Sequence, residues 1–197
     1  MKFETIQGDL IKLTLDGKFD VISHGCNCFC TMGAGIAVPM AKEFGCNRFP
    51  LELRTELEEI PDELSETVYE PQEIETGHYG DINKLGQIDY QQKYIDHKRG
   101  ICVNHHDIPK PDHISDLIVV NSYTQYSPGS PLPGFNIPLD YQALALCMRK
   151  INYRFKGKHI GLPKIGAGLA GGDWERIEVI IKSELKDCDV TIVELKQ

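Results

Sequence analysis

The sequence predicts an α/β protein in which a mostly parallel sheet lies between two layers of helices. Strand-like apolar runs alternate with helix-like segments along the 197 residues, and this alternation is typical of such sheets. Two glycine-rich loops, residues 33–37 and 166–172, support the same fold because each follows an apolar run and precedes a helical pattern. Ligands of such sheets bind at the carboxyl ends of the strands, where we expect both loops.

The first half of the chain begins with a strand and a glycine turn. Residues 20–24 form the next apolar run and predict a buried strand. Residues 35–44 predict a helix, since Ile36, Met40 and Phe44 recur at four-residue spacing and Gly45 follows as a stop. An acidic helical pattern covers residues 51–64, and residues 77–90 alternate as a strand does.

The second half repeats the alternation. Residues 117–120 are a short apolar run and predict a central strand. Helices are predicted at residues 141–153 and 174–185, and strands at residues 159–163 and 190–195. Residues 91–116, which hold His97, His105, His106 and His113, are expected to form a surface insertion with exposed histidines. A metal site or a proton relay is the alternative for them.

Composition limits the classes of partner. The net charge of −8 disfavours nucleic acid backbones and anionic membranes unless a basic patch is present. No apolar run reaches the roughly 18 residues that span a bilayer, and the first residues lack a signal-peptide core. Seven cysteines without an export signal indicate reduced thiols. We therefore expect one cytoplasmic domain over residues 1–197, with no membrane partner.

Three cysteines alternate before the first glycine loop: Cys26, Cys28 and Cys30. Such thiols hold soft metals, but no CxxC or histidine pair of familiar spacing completes a four-ligand site. We therefore expect neither a metal nor a cofactor. Cys28 and Cys30 are also nucleophiles by residue type, although nothing nearby in the sequence lowers a thiol pKa.

The two glycine loops predict an anion site. Backbone N–H groups in such loops and at helix N-termini hold phosphate, and missing side chains let it approach closely. Two loops at one edge of a sheet would grip a diphosphate from both sides. A simple strand-to-helix turn is the alternative for each loop alone. The ligand-binding residues of this hypothesis are Gly33, Ala34, Gly35, Ile36 and Ala37 in the first loop and Gly166, Ala167, Gly168, Leu169, Ala170 and Gly171 in the second.

Four elements in this order resemble the macrodomain family of ADP-ribose-binding modules. They are Gly8-Asp9-Leu10-Ile11, His24-Gly25-Cys26-Asn27 and the two glycine loops. The resemblance implies a three-layer α/β/α macrodomain with a mixed, mostly parallel central sheet. It also implies ADP-ribose as ligand, with the adenine amino group on Asp9 in the element that includes Leu10. The first loop then lies by the distal ribose and the second loop holds the diphosphate.

Within this family the likeness is closest to the branch of ADP-ribose-1''-phosphate phosphatases and terminal ADP-ribose protein glycohydrolases. His24 in place of an Asn and the run 32–37 carry that likeness, and residues 121–126 resemble phage and bacterial members. The glycohydrolase uses a Lys nucleophile and an Asp in the second loop. Gln125 and Ala170 stand at those positions, so its covalent mechanism does not carry over. Lys164 is a weaker candidate nucleophile, since strand-end lysines usually reach solvent.

Three residues are candidates for catalysis. His24 is suited to proton transfer near neutral pH, or is a satisfied histidine of the core. Asn27 would hold a ribose hydroxyl or a water, or it tightens a turn. Asp173 is a second acid or base, or the N-cap of the last helix. Gln125 completes the set of expected ligand-binding residues.

Two classes of function fit these residues. One is a hydrolase that removes the phosphate of ADP-ribose 1''-phosphate, or removes ADP-ribose from a modified protein or nucleic acid. The other is a reader that binds ADP-ribose without turnover. His24 beside Asn27 favours the enzyme, whereas the missing Lys favours the reader or the phosphatase.

Overall fold

The computed structural model describes residues 2–48, 80–103, 112–129 and 136–195, and these residues contain a seven-stranded mixed sheet. Its strands are β1 (Phe3–Gln7), β2 (Val21–Asn27), β3 (Ile88–Asp96), β4 (Ile101–Val103), β5 (Ile114–Gln125), β6 (His159–Pro163) and β7 (Asp189–Glu194). They lie in the order β1-β7-β6-β2-β5-β3-β4. Neighbouring strands from β1 through β7, β6 and β2 to β5 are parallel, whereas β3 pairs antiparallel with both β5 and β4.

Helices cover both faces of this sheet. They are α1 (Leu10–Leu15), α2 (Ala37–Phe44), α3 (Tyr141–Arg154) and α4 (Trp174–Glu184). Successive residues of β2 point to opposite faces, so Val21 packs with the buried side chains of α3 and α4, whereas Ile22 packs with those of α1 and α2. This arrangement confirms the predicted three-layer α/β/α fold with a mixed, mostly parallel sheet.

Aspartates begin three of the four described helices. Asp9, Asp140 and Asp173 are the N-caps of α1, α3 and α4, and each carboxylate accepts hydrogen bonds from amides of the first turn. The exception is α2, whose N-cap Ile36 is already helical and offers no side-chain bond. The first-turn amides of α2 are therefore left without a cap.

Most predicted elements lie within a few residues of the observed ones. The helix predicted at 35–44 begins two residues later, and the strand predicted at 117–120 is the centre of the longer β5. Of residues 80–90, the described part of the range 77–90, only the end belongs to a strand, because Ile82–Lys84 is a 3-10 helix and β3 begins at Ile88. The acidic pattern at 51–64 lies outside the described residues.

The segment expected to be a surface insertion contributes to the sheet at both ends. β3 continues to Asp96 and β5 begins at Ile114, and they pair through Tyr94 and Asp116. Residues 91–96 and 114–116 of this segment are therefore strand residues of the sheet, and the insertion itself stays a prediction. These strands contain many polar residues, so they lack the apolar run by which a strand is predicted. Only alternate side chains of an antiparallel strand need be apolar. His105 and His106 lie outside the described residues. No helix in the described ranges is long and apolar enough to cross a membrane.

A close contact in the middle of the sheet gives a test of the packing. A methyl group added at Gly161 of β6 would lie 2.7 Å from Cγ of the buried Phe19 ring. Because a close-packed core does not absorb such overlap, Gly161→Ala should lower the free energy of unfolding by about 1–3 kcal/mol in urea denaturation. Gly168→Ala is the control, since its methyl group would meet nothing within 4 Å. Equal stability of the two variants would contradict this packing.

Candidate functional site

The two glycine loops face each other at the carboxyl edge of the sheet. The first loop, residues 33–37, follows β2, and the second loop, residues 166–172, follows β6. A methyl group built on Gly35 would lie 3.9 Å from Cδ1 of Leu169, so the loops approach contact distance there. Similar groups on Gly33 and Gly168 would meet nothing within 4 Å. Both loops therefore present open backbone beside this point of approach.

The first loop ends in the uncapped N-terminus of α2. Gly35 has a φ of +59°, a left-handed conformation that glycine adopts without strain, and it turns the chain into the helix. Among the described residues, the amides of Gly33, Gly35 and Ala37 donate to no carbonyl or side chain. A helix N-terminus with unpaired amides carries partial positive charge, so this end of α2 favours an anion.

The second loop is tightly closed on itself. Gly172 N–H donates to Gly166 O and Gly171 N–H donates to Gly168 O, both at 2.9 Å, while Ala170 O accepts from Leu139 N–H at 3.2 Å. Among the described residues, the amides of Gly168, Leu169 and Ala170 make no hydrogen bond. Consecutive unpaired amides of this kind form a concave anion site.

Asp9 follows the end of β1, and it caps α1 in addition to its expected contact with the adenine amino group. Its Oδ1 accepts from Ile11 N at 2.8 Å and from Lys12 N at 3.2 Å. The side chain is exposed, and its second oxygen has no bond among the described residues. A depression of about 460 Å³ lies beside it, and neither glycine loop lines it. Its lining residues are Gln7, Gly8, Asp9, Lys12, Leu13, Asp16 and Leu195.

His24 is a histidine of the core. Its side chain is fully buried, and Nε2 lies 2.9 Å from Asn121 Oδ1. Asn121 Nδ2 donates to Cys46 O, so Oδ1 is the acceptor and Nε2 of His24 carries the proton. Burial lowers the pKa of His24 to about 4, against the opposing effect of the Asn121 bond. A neutral, enclosed imidazole matches the alternative of a satisfied core histidine, and the catalytic role of His24 stays a prediction.

Asn27 shapes the turn before the first loop. Its Oδ1 accepts from Phe29 N at 3.0 Å and from both the amide and the hydroxyl of Thr31, while its Nδ2 donates to Thr31 O at 3.0 Å. The residue is only 7% exposed. Both ends of its amide are thus occupied within the chain, and the turn-forming alternative fits better than the expected contact with a ribose or water.

Asp173 and Gln125 remain at the surface of the site. Asp173 caps α4 through Glu175 N, and its own amide donates to the hydroxyl of Tyr141 at 2.9 Å. Its carboxylate is exposed, so the cap leaves one oxygen toward solvent. Gln125 ends β5 and donates through Nε2 to Ser127 O. Both residues stay candidates for contact with a ligand.

Lys164 and the cysteines are poor nucleophiles in this structure. Lys164 Nζ lies 3.1 Å from Glu194 Oε1 and 5.1 Å from the centre of the Trp174 ring, so an ion pair and a ring contact already engage this side chain. Burial raises the pKa of Cys28 to about 11 and also raises the pKa of Cys30. Among the described residues, no cluster of three or more His, Cys, Asp or Glu side chains is arranged to hold a metal.

A buried polar cluster, which the sequence analysis missed, lies next to the first loop. Its members are Cys30, Lys84, Asp89 and Tyr123. The hydroxyl of Tyr123 donates to Asp89 Oδ2 and lies 3.3 Å from Cys30 Sγ. Lys84 Nζ lies 3.8 Å from the same sulfur. Burial raises the pKa of Asp89 to about 7. Lys84 and Asp89 are distant in sequence from the loop, so no motif connects them with it.

Known proteins resemble this chain over nearly its whole length. No family model matches the sequence. An uncharacterized 17.5 kDa protein from the tk-vs intergenic region of Enterobacteria phage T4 is 30% identical over 193 residues. That alignment covers 96% of this chain and 94% of the phage protein.

Three solved structures share the fold. A protein of unknown function from Bacteroides thetaiotaomicron has a TM-score of 0.58 at 21% identity, with 98% of each chain covered. The macrodomain of Thermus aquaticus DarG has a TM-score of 0.53 at 14% identity, covering 99% of this chain and 97% of that one. Thermosipho africanus DarTG in complex with ADP-ribose has a TM-score of 0.57 at 12% identity, and the match covers 98% of this chain and 42% of that one. At these identities the likeness shows the fold alone.

We expect His24 to make stability depend on pH in mild acid. The unfolded chain has a histidine pKa of about 6.5, above the folded value of about 4, so it binds the proton first. The stability that is complete above about pH 6.5 is therefore lost as the pH falls towards 4, by up to about 3 kcal/mol. His24→Asn lacks this titration, and its free energy of unfolding should fall less than that of the wild type. Parallel pH profiles of the two proteins in urea denaturation would contradict the buried neutral imidazole.

Proposed function

This chain belongs to the family of the phage T4 protein and has the macrodomain fold, and from that premise we propose that it binds ADP-ribose. The observation that carries the proposal is the facing pair of glycine loops with unpaired amides. A fold neighbour, Thermosipho africanus DarTG, was solved in complex with ADP-ribose, which supports the choice of ligand.

The diphosphate lies between the two loops in this proposal. Its negative charge faces the amides at the N-terminus of α2 on one side and those of Gly168, Leu169 and Ala170 on the other. Backbone amides and a helix dipole stabilise phosphate without a cationic side chain. This suits a site where Lys164 is already paired with Glu194.

The rest of the ligand follows from the position of the diphosphate. The adenine lies towards Asp9 and Leu10, where the second oxygen of Asp9 accepts a hydrogen bond from the amino group. The distal ribose lies towards the first loop, with Gln125 at the end of the neighbouring strand β5. This orientation assigns a part of the ligand to each residue that the sequence resemblance singled out for binding.

Binding without turnover is the function that the geometry supports best. Of the three candidate catalytic residues, His24 and Asn27 are engaged inside the chain. A hydrolase remains the second candidate because the exposed carboxylate of Asp173 follows the second loop directly. Its reaction would be the removal of the phosphate of ADP-ribose 1''-phosphate, or of ADP-ribose from a modified protein or nucleic acid.

One experiment separates these two functions. The pure protein is incubated with ADP-ribose 1''-phosphate, ADP-ribosylated protein and ADP-ribosylated DNA, and each product is followed while calorimetry measures ADP-ribose affinity. Binding without any product identifies a reader. Turnover that disappears in Asp173→Ser, where serine keeps the helix cap, identifies a hydrolase that uses this carboxylate.

Gly168→Val should block the diphosphate. Its side chain would enter open space, so the fold is expected to persist, but it would occupy the approach to the amides of the second loop. We expect ADP-ribose affinity to fall well over tenfold, a loss of more than about 1.4 kcal/mol. Calorimetry on this variant is compared with Ser183→Val, an exposed change on α4. Unchanged affinity in a folded Gly168→Val protein would remove the diphosphate from this loop.

Asp9→Ser should weaken ADP-ribose while sparing ribose 5-phosphate, which lacks adenine. Serine is a good N-cap and retains the helix start, but it removes the second carboxylate oxygen. A hydrogen bond to a charged acceptor is worth about 1.5–3 kcal/mol, so the expected loss is at least about tenfold. Equal losses for the two ligands in calorimetry would make Asp9 a structural turn residue only.

A further inference from the structure

The buried polar cluster connects the sheet with the turn that precedes the first glycine loop. Cys30 is 6% exposed and Asp89 1%, while Lys84 and Tyr123 are fully buried. Tyr123 stands in β5, next to Cys26 of β2 in register, and Asp89 stands in β3. Since the Tyr123 hydroxyl donates to Asp89 Oδ2, the thiol of Cys30 is the donor in its own contact with that hydroxyl. The chain of bonds thus runs from β3 through β5 to the turn.

Cys30 is held in an unusual backbone conformation. Its φ is +54°, and it is the sole non-glycine residue with a positive φ among the described residues. Such a left-handed residue costs about 1 kcal/mol and persists only where its surroundings fix it. Three residues later the chain reaches Gly33, so the conformation of Cys30 sets the direction in which the first loop leaves the sheet.

Burial of these groups is expensive for the fold. Buried lysine, aspartate and tyrosine side chains each lose hydration of their polar groups, and a hydrophobic packing of similar volume would usually be at least as stable. Lys84 Nζ also lies over the Tyr123 ring, 5.1 Å from its centre, so this side chain contacts the ring as well as the sulfur of Cys30. Two contacts, the hydrogen bond to Asp89 and the ring contact of Lys84, therefore restrain the tyrosine whose hydroxyl touches Cys30.

We propose that Tyr123, oriented by Asp89 and Lys84, is a positioning residue that locks Cys30 in its left-handed conformation and so preorganises the first glycine loop for the distal half of the ligand. This inference rests on the proposed binding of ADP-ribose. It assigns no chemistry to the cluster, because none of its members reaches the surface of the site. The cluster acts in the protein without ligand, where it keeps the amides of the first loop in the positions that they occupy in the complex.

The first test removes the hydroxyl alone. Hydrogen exchange of free Tyr123→Phe should be about tenfold faster at residues 29–37 and unchanged in the sheet, because the turn loses a restraint worth about one hydrogen bond. Calorimetry should show about tenfold weaker ADP-ribose binding and AMP binding within about twofold, since AMP lacks the distal ribose. Tyr90→Phe is the matched control, because its hydroxyl accepts a bond from Arg154 at the surface.

The second test changes Cys30 itself. Cys30→Ala removes the sulfur contacts but keeps the strain, so it should resemble Tyr123→Phe. Cys30→Gly also loses the sulfur contacts but adopts a positive φ without strain, so it should bind ADP-ribose more weakly than the wild type and about fivefold more tightly than Cys30→Ala. The two variants differ by one methyl group, and they test the inference even if Tyr123→Phe does not fold.

Several results would overturn the inference. Wild-type exchange and affinity in Tyr123→Phe, or equal affinity of Cys30→Ala and Cys30→Gly, would show that the cluster does not position the loop. Faster hydrogen exchange across the whole sheet, with equal losses of affinity for AMP and ADP-ribose, would show that the cluster contributes only to the general stability of the fold. A wild-type protein that binds no ADP-ribose would refute the proposed function, whereas the exchange experiment would still decide whether the cluster holds the loop.

Discussion

Unpaired backbone amides at the carboxyl edge of the sheet are the constraint on which the rest of this structure depends. A buried amide without a partner is costly, so such groups persist only where solvent or a ligand completes them. Parallel β2 and β6 are neighbours, and their following loops must therefore emerge side by side. Gly33 and Gly168 have open space around them, which leaves the amides accessible. The strand order thus creates the site, and glycine keeps it open.

Amides serve a ligand only if the loops that carry them hold still. The second loop is tied to its surroundings by its own turn bonds and by the bond between Ala170 and Leu139, next to the Asp140 cap of α3. The first loop is tied by the side chain of Asn27 and by the contacts of Cys30. Polar residues near the site therefore act mainly on the backbone, and their bonds are made within the chain rather than with a ligand.

This division explains how much the sequence could predict. Periodicity and glycine stops located α2, α3 and α4 within two residues at their starts, because these signals are local. The cap at Asp173, one of its two predicted roles, also follows from local chemistry, whereas the cap at Asp9 was not predicted. The roles of His24 and Asn27 depend on partners such as Asn121 and Thr31, and a motif does not reveal which polar group its residue meets. Lys84 and Asp89 carried no signal, since only the fold brings them to Tyr123.

The charge of the chain is consistent with recognition by amides. With a net charge of −8, the protein as a whole repels a diphosphate. A cationic side chain beside the loops would attract many anions at once, including nucleic acid backbones. N–H groups act over a short range and in a fixed direction, so only an anion that fits between the two loops gains their full effect. In the proposed binding mode, an acidic chain that presents amides rather than cationic side chains therefore favours one small ligand over longer polyanions, and the placement of the two loops sets the selectivity.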